Sequence, residues 1–436
     1  MKISILSVFP ELYNSFLNTS LIKRAQDNGL VKITTDSFFS YVGPKERIDS
    51  PTFGHGAGML IKPKVVEQAI QAHEAANGKA FKIFFSPHGK KLDQDYLQFL
   101  ANCAQKSGNI MLVPARYEGM DARVEEEYAD ALVSIGDFVL MGGDMPAMIL
   151  LEGLLRLVPG IVGKQESIEQ ESFSGPFVDY PEYTEPVAWH EKEVPPVVRS
   201  GDHAALKQWR TDQAIKRTLV HHFDWLRTYP LDVNQKKRVK KILPSHYVAL
   251  CHSDVLIGQE KKIGTTSVTS IDIHDIARSS QTYGIKNFFI VTPLLDQQRI
   301  VQTLLDFWHT ENGITYNKNR HEALRAVELK DTIEQVISSI ENNEGKKPLV
   351  VATSARTVVH VKQISFHDQG DLWKQERPIL FVFGTGKGFS EEFLARCDYL
   401  LLPVGGFSDF NHLSVRSAVA IILDRWMGIN SKKAQI

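Results

Sequence analysis

Apolar residues in this chain come in short runs separated by segments with helical spacing. Ile3–Phe9, Lys82–Ser86, Ile110–Pro114 and Ala131–Ile135 read as buried strands, each ending in or against Pro, Gly or a small polar residue. Val65–Ala76 and Tyr96–Lys106 set apolar residues at helical intervals between them. Strand and helix alternating in this way predict a mostly parallel α/β sheet. After Pro159-Gly160 the texture changes, and the polar, Pro-rich stretch 161–186 reads as a mobile connection. Residues 201–242 read as helices. A second α/β pattern starts near Ser245, with strands Tyr247–Cys251, Asn287–Val291, Pro348–Ala352, Pro378–Phe383 and Tyr399–Pro403 and a last helix Val415–Met427. Glu341–Lys347 reads as a surface turn, and the two α/β halves show no residue-by-residue repeat. The division expected is 1–160, a connection over 161–175, a helical subdomain over 176–243 and a second α/β domain over 246–430.

At 436 residues the chain is too long for one compact core. Hydrophobic residues at 43% and charged residues at 23% fit a folded protein and exclude wholesale disorder. The net charge of −1 gives no global pull toward nucleic acid, so any such binding must come from local basic patches. Lys207, Arg210, Lys216, Arg217, His221 and His222 make one such patch, followed by Lys236–Arg238, Lys240 and Lys241. Cys103, Cys251 and Cys397 lie far apart without a CxxC pair, which suits a reducing compartment and gives no zinc or disulfide signature. MKISILSVFPELYNSF lacks the regions of a signal peptide, and no apolar run approaches a membrane span, so a cytoplasmic location is expected.

In open parallel sheets ligands collect beyond the carboxyl ends of the strands. Ser86–Gly89, Ala115–Gly119 and Ile135–Asp144 fall there. Together they can form a pocket of backbone amides and carbonyls around an adenosine; singly, each also reads as an ordinary strand-end turn. The pair Gly142-Gly143 allows close backbone approach. FGTGKG at 383–388 fails the phosphate-loop spacing, because Gly388 follows Lys387 where Ser or Thr is needed. Carboxylate and His residues show no metal spacing.

Residues 1–243 resemble bacterial tRNA (guanine-N1)-methyltransferases of the SPOUT superfamily. The resemblance rests on FPELY at 9–13, FGHGAGM at 53–59, SPHGKKLDQ at 86–94, ARYEGMDARV at 115–124, SIGDFVLMGGDMPAM at 134–148, RLVPG at 156–160, ESFS at 171–174, DYPEYT at 179–184 and VPPVVRSGDHAALKQWR at 194–210. It implies a deep trefoil knot, a homodimer with a shared site, tRNA as partner, S-adenosylmethionine as methyl donor and use of magnesium. Donor contacts carried over by position are Phe84, Phe85, Ser86 and Pro87; Ala115, Tyr117, Glu118 and Gly119; and Ile135, Gly136, Asp137, Phe138, Val139, Leu140, Gly142, Gly143 and Pro146. Glu171 aligns with the base that removes the guanine N1 proton, and Arg156 with an arginine near O6, where negative charge builds. Read without the family, Glu171 is one charge in a stretch with Glu166 and Glu169, and Arg156 caps the apolar helix Leu150–Val158. The sequence departs from the family at Glu171, usually Asp; at His55 and Ala57, usually glycine and proline; and at Ala115, usually glycine.

Arg199, Lys207, Arg210, Lys216 and Arg217 are the candidate RNA contacts of the helical segment; Trp209 and Trp225 read either as stacking on bases or as core, with core packing favoured for Trp209. Residues 246–430 resemble a second SPOUT-type RNA methyltransferase domain, on ATSAR, FGTGKGFS and LLPVGGFSDFNHLSVRSA. By that resemblance Thr353, Gly384, Gly386, Leu402, Val404, Leu413 and Ser414 line a second donor pocket, with Arg278 a candidate RNA contact. The expectation is methylation of guanine N1 beside the anticodon by the first half. Two other readings stand beside it: a degenerate, non-catalytic RNA-binding protein, and a bifunctional enzyme that modifies two RNA sites.

Overall fold

The structure, a computed structural model, describes residues 1–54, 56–162, 171–356, 358 and 360–429. His55, Glu166, Glu169 and the middle of the connection expected at 161–175 lie outside the described residues. Two compact units divide the chain, Met1–Ser174 and Gly175–Ile436.

The first unit is built on a parallel sheet of β1 (Lys2–Ser7), β2 (Lys32–Ser37), β5 (Phe81–Lys91), β6 (Asn109–Val113) and β7 (Ala131–Ser134), in the order β2-β1-β6-β5-β7. A short antiparallel pair, β3 (Asp49–Pro51) and β4 (Met59–Ile61), stands apart. Side chains alternate across a strand, so Ile83 and Phe85 enter one core with Ile3, Ile5, Ile110 and Leu112. Phe84, Met111 and Val113 enter the other. Helices cover both faces, as an all-parallel sheet demands. The helix Gln94–Ser107 and the helix Asp144–Arg156 lie over the first core, and Pro63–Asn77 over the second. The helix Gln94–Ser107 starts at the Asp93 carboxylate, which accepts from the Tyr96 amide, and stops at left-handed Gly108.

The second unit carries seven parallel strands: β8 (His246–Cys251), β9 (Phe288–Val291), β10 (Val327–Lys330), β11 (Leu349–Thr353), β12 (Gln363–Ile364), β13 (Ile379–Gly384) and β14 (Tyr399–Leu401). Their order is β10-β9-β8-β13-β11-β14-β12. The helices His203–His221, Phe223–Thr228 and Val233–Ile242 send Ile215, Leu219, Leu226 and Val239 into the core beneath this sheet. Gly370 makes one such contact close: a Cβ there would lie 2.1 Å from the Val220 carbonyl oxygen. At the centre, buried His246 accepts indole N–H bonds from Trp373 (3.1 Å) and Trp426 (3.2 Å) on Nε2. Its Nδ1–H therefore goes to the Pro244 carbonyl, 2.7 Å away. Among the described residues no helix is long and apolar enough to cross a membrane.

Candidate active site

At the carboxyl end of the first sheet the second and third of the expected loops meet through their backbones, and the first packs on β7, the strand that leads into the third. The strand expected at Lys82–Ser86 continues to Lys91, because residues 86–89 bulge: Val133 pairs with both Phe85 and Lys90. Gly89 permits this, since a Cβ there would lie 2.7 Å from the Val133 amide nitrogen. Phe84 and Phe85 are buried in opposite cores, so Ser86 and exposed Pro87 are the first residues free to face a ligand. In the second loop Tyr117 (φ 61°) and Gly119 (φ 117°) take left-handed conformations; Ala115 does not, so the residue that replaces the family's glycine is unstrained. The Glu118 amide donates to Met59 at 3.1 Å, and Gly58 leaves room for the Glu118 side chain, which a Cβ would meet at 2.3 Å. The third loop closes on the second: the Gly143 amide donates to the Ala115 carbonyl at 2.7 Å. A Cβ at Gly143 would sit 2.9 Å from the Ala115 nitrogen, and one at Gly142 2.5 Å from Arg116 Cδ. Lys91, at the end of β5 just after the first loop, forms an ion pair with Asp137 of the third. Ile135 and Gly136 are half-buried, whereas Phe138, Val139, Leu140 and Met141 are exposed.

One residue that the sequence reading passed over organises this cluster. Asp144 opens the helix Asp144–Arg156 and is 1% exposed. Its carboxylate accepts from Ser7 Oγ at 2.6 Å, Tyr13 OH at 3.0 Å and Arg116 Nε at 2.6 Å. It thereby ties the end of β1, the second loop and the third loop to one charge, beside a helix N-terminus that favours an anion. Burial and this carboxylate push the Tyr13 phenol far above its ordinary range, so Tyr13 stays a donor. The signal was present in GGDMPAM, an acid directly after a glycine pair and before an apolar helix, but it reads equally as an ordinary first-turn residue. Pro146 is buried in the first turn of that helix, where its missing N–H is harmless. Near the bulge His88 bridges Ser86 Oγ (2.6 Å) and Glu125 (3.5 Å), and burial raises the Glu125 carboxyl above its usual range.

Arg156 and Glu171 come together. Arg156 Nε donates to Glu171 Oε2 at 3.1 Å, and its terminal nitrogen bonds the other carboxylate oxygen, a bidentate pair that is part-exposed. The helix expected at Leu150–Val158 instead runs Asp144–Arg156, because Gly143-Asp144 rather than the first leucine starts it, and Arg156 lies in its last turn.

In the second unit, Thr353 Oγ1 donates to the Val382 carbonyl at 3.0 Å, tying the ends of β11 and β13. Gly384 lies against the Phe389 ring, and Gly386 (φ 59°) against the Leu256 carbonyl, which a Cβ would meet at 2.9 Å. The Leu402 amide donates to Ile364 at 2.8 Å, and Ser414 caps the helix Val415–Met427. Val404 packs on the core, while Leu413 is exposed.

The basic residues are spread more widely. Lys207 and Arg278 are exposed. Arg199 faces Glu193 at 3.6 Å, Arg210 covers the Tyr180 ring, Lys216 pairs with Glu376 at 3.0 Å and Arg217 donates to the Asp179 carbonyl. Trp209 is half-buried, with its ring 6.2 Å from that of Tyr183, and Trp225 gives its indole N–H to the Gly175 carbonyl. Among the described residues no group of three or more His, Cys, Asp or Glu side chains converges as a metal site, so the magnesium expected from the resemblance has no support here.

Comparison with known proteins gives this geometry its context. Residues 1–228 match the tRNA (guanine-1)-methyltransferase TrmD family, and residues 245–428 a family of SAM-dependent RNA methyltransferases. A tRNA (guanine-N(1)-)-methyltransferase of Oleidesulfovibrio alaskensis is 37% identical over 98% of this chain and 99% of its own length. That of Nitratidesulfovibrio vulgaris is 38% identical over the same shares. That of Bacillus licheniformis is 36% identical over 98% of its length but covers 55% of this chain, so it matches a single-module relative. The chain belongs to the tRNA (guanine-N1)-methyltransferase family, as an S-adenosylmethionine-dependent enzyme that carries a second RNA methyltransferase module.

Proposed function

We propose that the chain methylates N1 of the guanine beside the anticodon of tRNA, with the methyl donor held by the three loops of the first unit and Glu171 as the base. The observation that carries this reading is the Arg156–Glu171 pair. The edge of guanine presents N1–H next to O6, a donor beside an acceptor, and a carboxylate beside a guanidinium is its complement. Entry of the base exchanges the internal ion pair for two charge-assisted hydrogen bonds. Glu171 takes the N1 proton, which frees the lone pair that attacks. Arg156 faces O6 as charge builds there. S-adenosylmethionine, when bound, supplies an electrophilic methyl. The loops fit a flat nucleoside through backbone: Gly142 and Gly143 pack where any Cβ would displace the second loop. Ser86, Tyr117, Glu118 and Gly136–Leu140 line the remaining rim, and Asp144 keeps the loops in register. Holding donor and acceptor in line supplies much of the remaining rate gain.

A trefoil knot of SPOUT type, a homodimer and a cytoplasmic setting belong to the same proposal. The sheet order, with β5 between β6 and β7, supports the knot. The exposed apolar run Phe138–Met141, with Met145 and Ile149 nearby on the chain, supports a covering subunit. The full-length relatives favour an enzyme over the non-catalytic RNA-binding reading.

A second reading concerns the second unit: its loops at Thr353, Gly384, Gly386 and Leu402–Ser414 hold a second donor molecule. Its support is Gly386, whose φ of 59° and contact with Leu256 bring the loop in close, as in the first unit. Mass-spectrometric mapping of tRNA after reaction tests the first proposal. The expected product is 1-methylguanosine at the guanine beside the anticodon; methylation elsewhere alone would refute it.

A further inference from the structure

A cavity of about 780 Å³ in the second unit lies at the amino ends of β8, β11 and β13, away from the loops at their carboxyl ends. The helices His203–His221 and Val233–Ile242 wall one side, and the turns leading into β11 and β13 wall the other. Seven Lys and Arg side chains line it against three carboxylates. All three carboxylates are already paired: Asp212 with Arg238 at 2.8 Å, Glu376 with Lys216 at 3.0 Å, and Glu344 with Lys286 at 2.7 Å. Lys237, Lys241, Lys346 and Arg377 form no ion pair among the described residues. Lys346 donates to the Glu376 carbonyl at 2.9 Å, and Arg377 to the carbonyls of Lys347 and Pro348. Four uncompensated cations facing one concavity repel each other in its absence of an anion, and this is the electrostatic footprint of a polyanion site.

We propose that this cleft binds the sugar-phosphate backbone of an RNA strand. Lys237 and Lys241 stand one helical turn apart on one face, about 6 Å between their Cβ atoms, a separation that suits successive phosphates rather than a single one. The opposing cations come from a different wall, so the strand is gripped from both sides. The cleft is thus shared between the basic helices and the sheet of the second module. It divides the basic residues by role: Lys216 and Arg238 hold the wall through their carboxylates, while Lys237, Lys241 and Lys346, which form no ion pair among the described residues, meet phosphates, Lys346 with the donors left beside its bond to the Glu376 carbonyl.

The inference rests on the tRNA reading for its ligand. Its test uses the full-length protein, unmodified tRNA and a salt titration of binding. Each phosphate contact contributes about 0.7–0.9 to the slope of log affinity against log salt. The triple variant K237Q/K241Q/K346Q should therefore lose about 2 units of slope and show a raised KM for tRNA with kcat unchanged. A control that removes the same charge elsewhere, K23Q/K79Q/K106Q, should keep the wild-type slope. Equal slopes in the cleft variant and the wild type, or equal losses in the cleft and control variants, overturn the proposal. Equal loss of binding to anionic lipid vesicles, with tRNA binding intact, overturns it in favour of a membrane surface. Failure here leaves wild-type methylation in place, whereas absence of 1-methylguanosine from the wild-type reaction sinks the earlier reading instead.

Discussion

Asp144 holds Ser7, Tyr13 and Arg116 at once, from a position with almost no contact with solvent. Asp144→Ala leaves a guanidinium and two hydroxyls without their acceptor, a loss of about 3–5 kcal/mol for a broken buried pair. Urea unfolding followed by fluorescence should show it, with weakened donor binding by calorimetry at temperatures where the variant remains folded. Gly143→Ala is the milder companion: its methyl meets the Ala115 nitrogen and Pro114 Cα at 2.9–3.0 Å, so the loops must part and donor affinity must fall with less change in stability. Residues of this kind were only partly legible. Gly142 and Gly143 stood out because glycine pairs at strand ends have few other reasons to exist. Asp144, Ser7 and Tyr13 did not, because a hydrogen-bonded hub of residues 131 and 137 positions apart leaves no local pattern. Arg156 and Glu171 were reached through family motifs rather than through spacing. Their pairing is a tertiary fact that an acidic stretch and a helix end do not announce.

Among the elements, central strands were read almost residue for residue, since Leu349–Thr353 and Ile379–Gly384 are near-continuous apolar runs buried on both faces. Edge strands β2 (KITTDS) and β10 (VELK) were missed because they are half-exposed and polar, which periodicity cannot tell from loop. The continuation of β5 through Pro87–Lys91 was missed because a bulge interrupts its alternation. Helix docking in the second unit gives two tests. Gly370→Ala would drive a methyl into the Val220 carbonyl and should lower the thermal midpoint of that unit. His246 and His252 are buried, and burial pushes each imidazole down to about 4 from 6.5. Between those values the unfolded chain takes up protons that the folded chain excludes, so stability falls as pH drops from about 6.5 toward 4. At pH 5 the loss for fully buried His246 should be about 2 kcal/mol relative to pH 7, measured by urea denaturation. His246→Gln should flatten that slope.

For the whole molecule, two regions that each match a methyltransferase family raise the question of how many donors the chain binds. If both loop clusters are donor sites, calorimetry should give two equivalents of S-adenosylmethionine per chain. Gly386→Val, with a side chain forced toward the Leu256 carbonyl, should reduce this to one and leave guanine methylation intact. The two-module division was visible in the sequence as two runs of alternating strand and helix. That the basic helices share a core with the second sheet was not, because an amphipathic helix does not state its partner. The central claim is that the first unit's loops present the donor to a guanine whose N1 proton leaves to Glu171. Transfer of tritiated methyl to tRNA with guanine beside the anticodon, comparing wild type with Glu171→Ala, tests it most directly. The account predicts a rate at least about 100-fold lower in the variant with donor binding retained. Equal rates in the two proteins would contradict it.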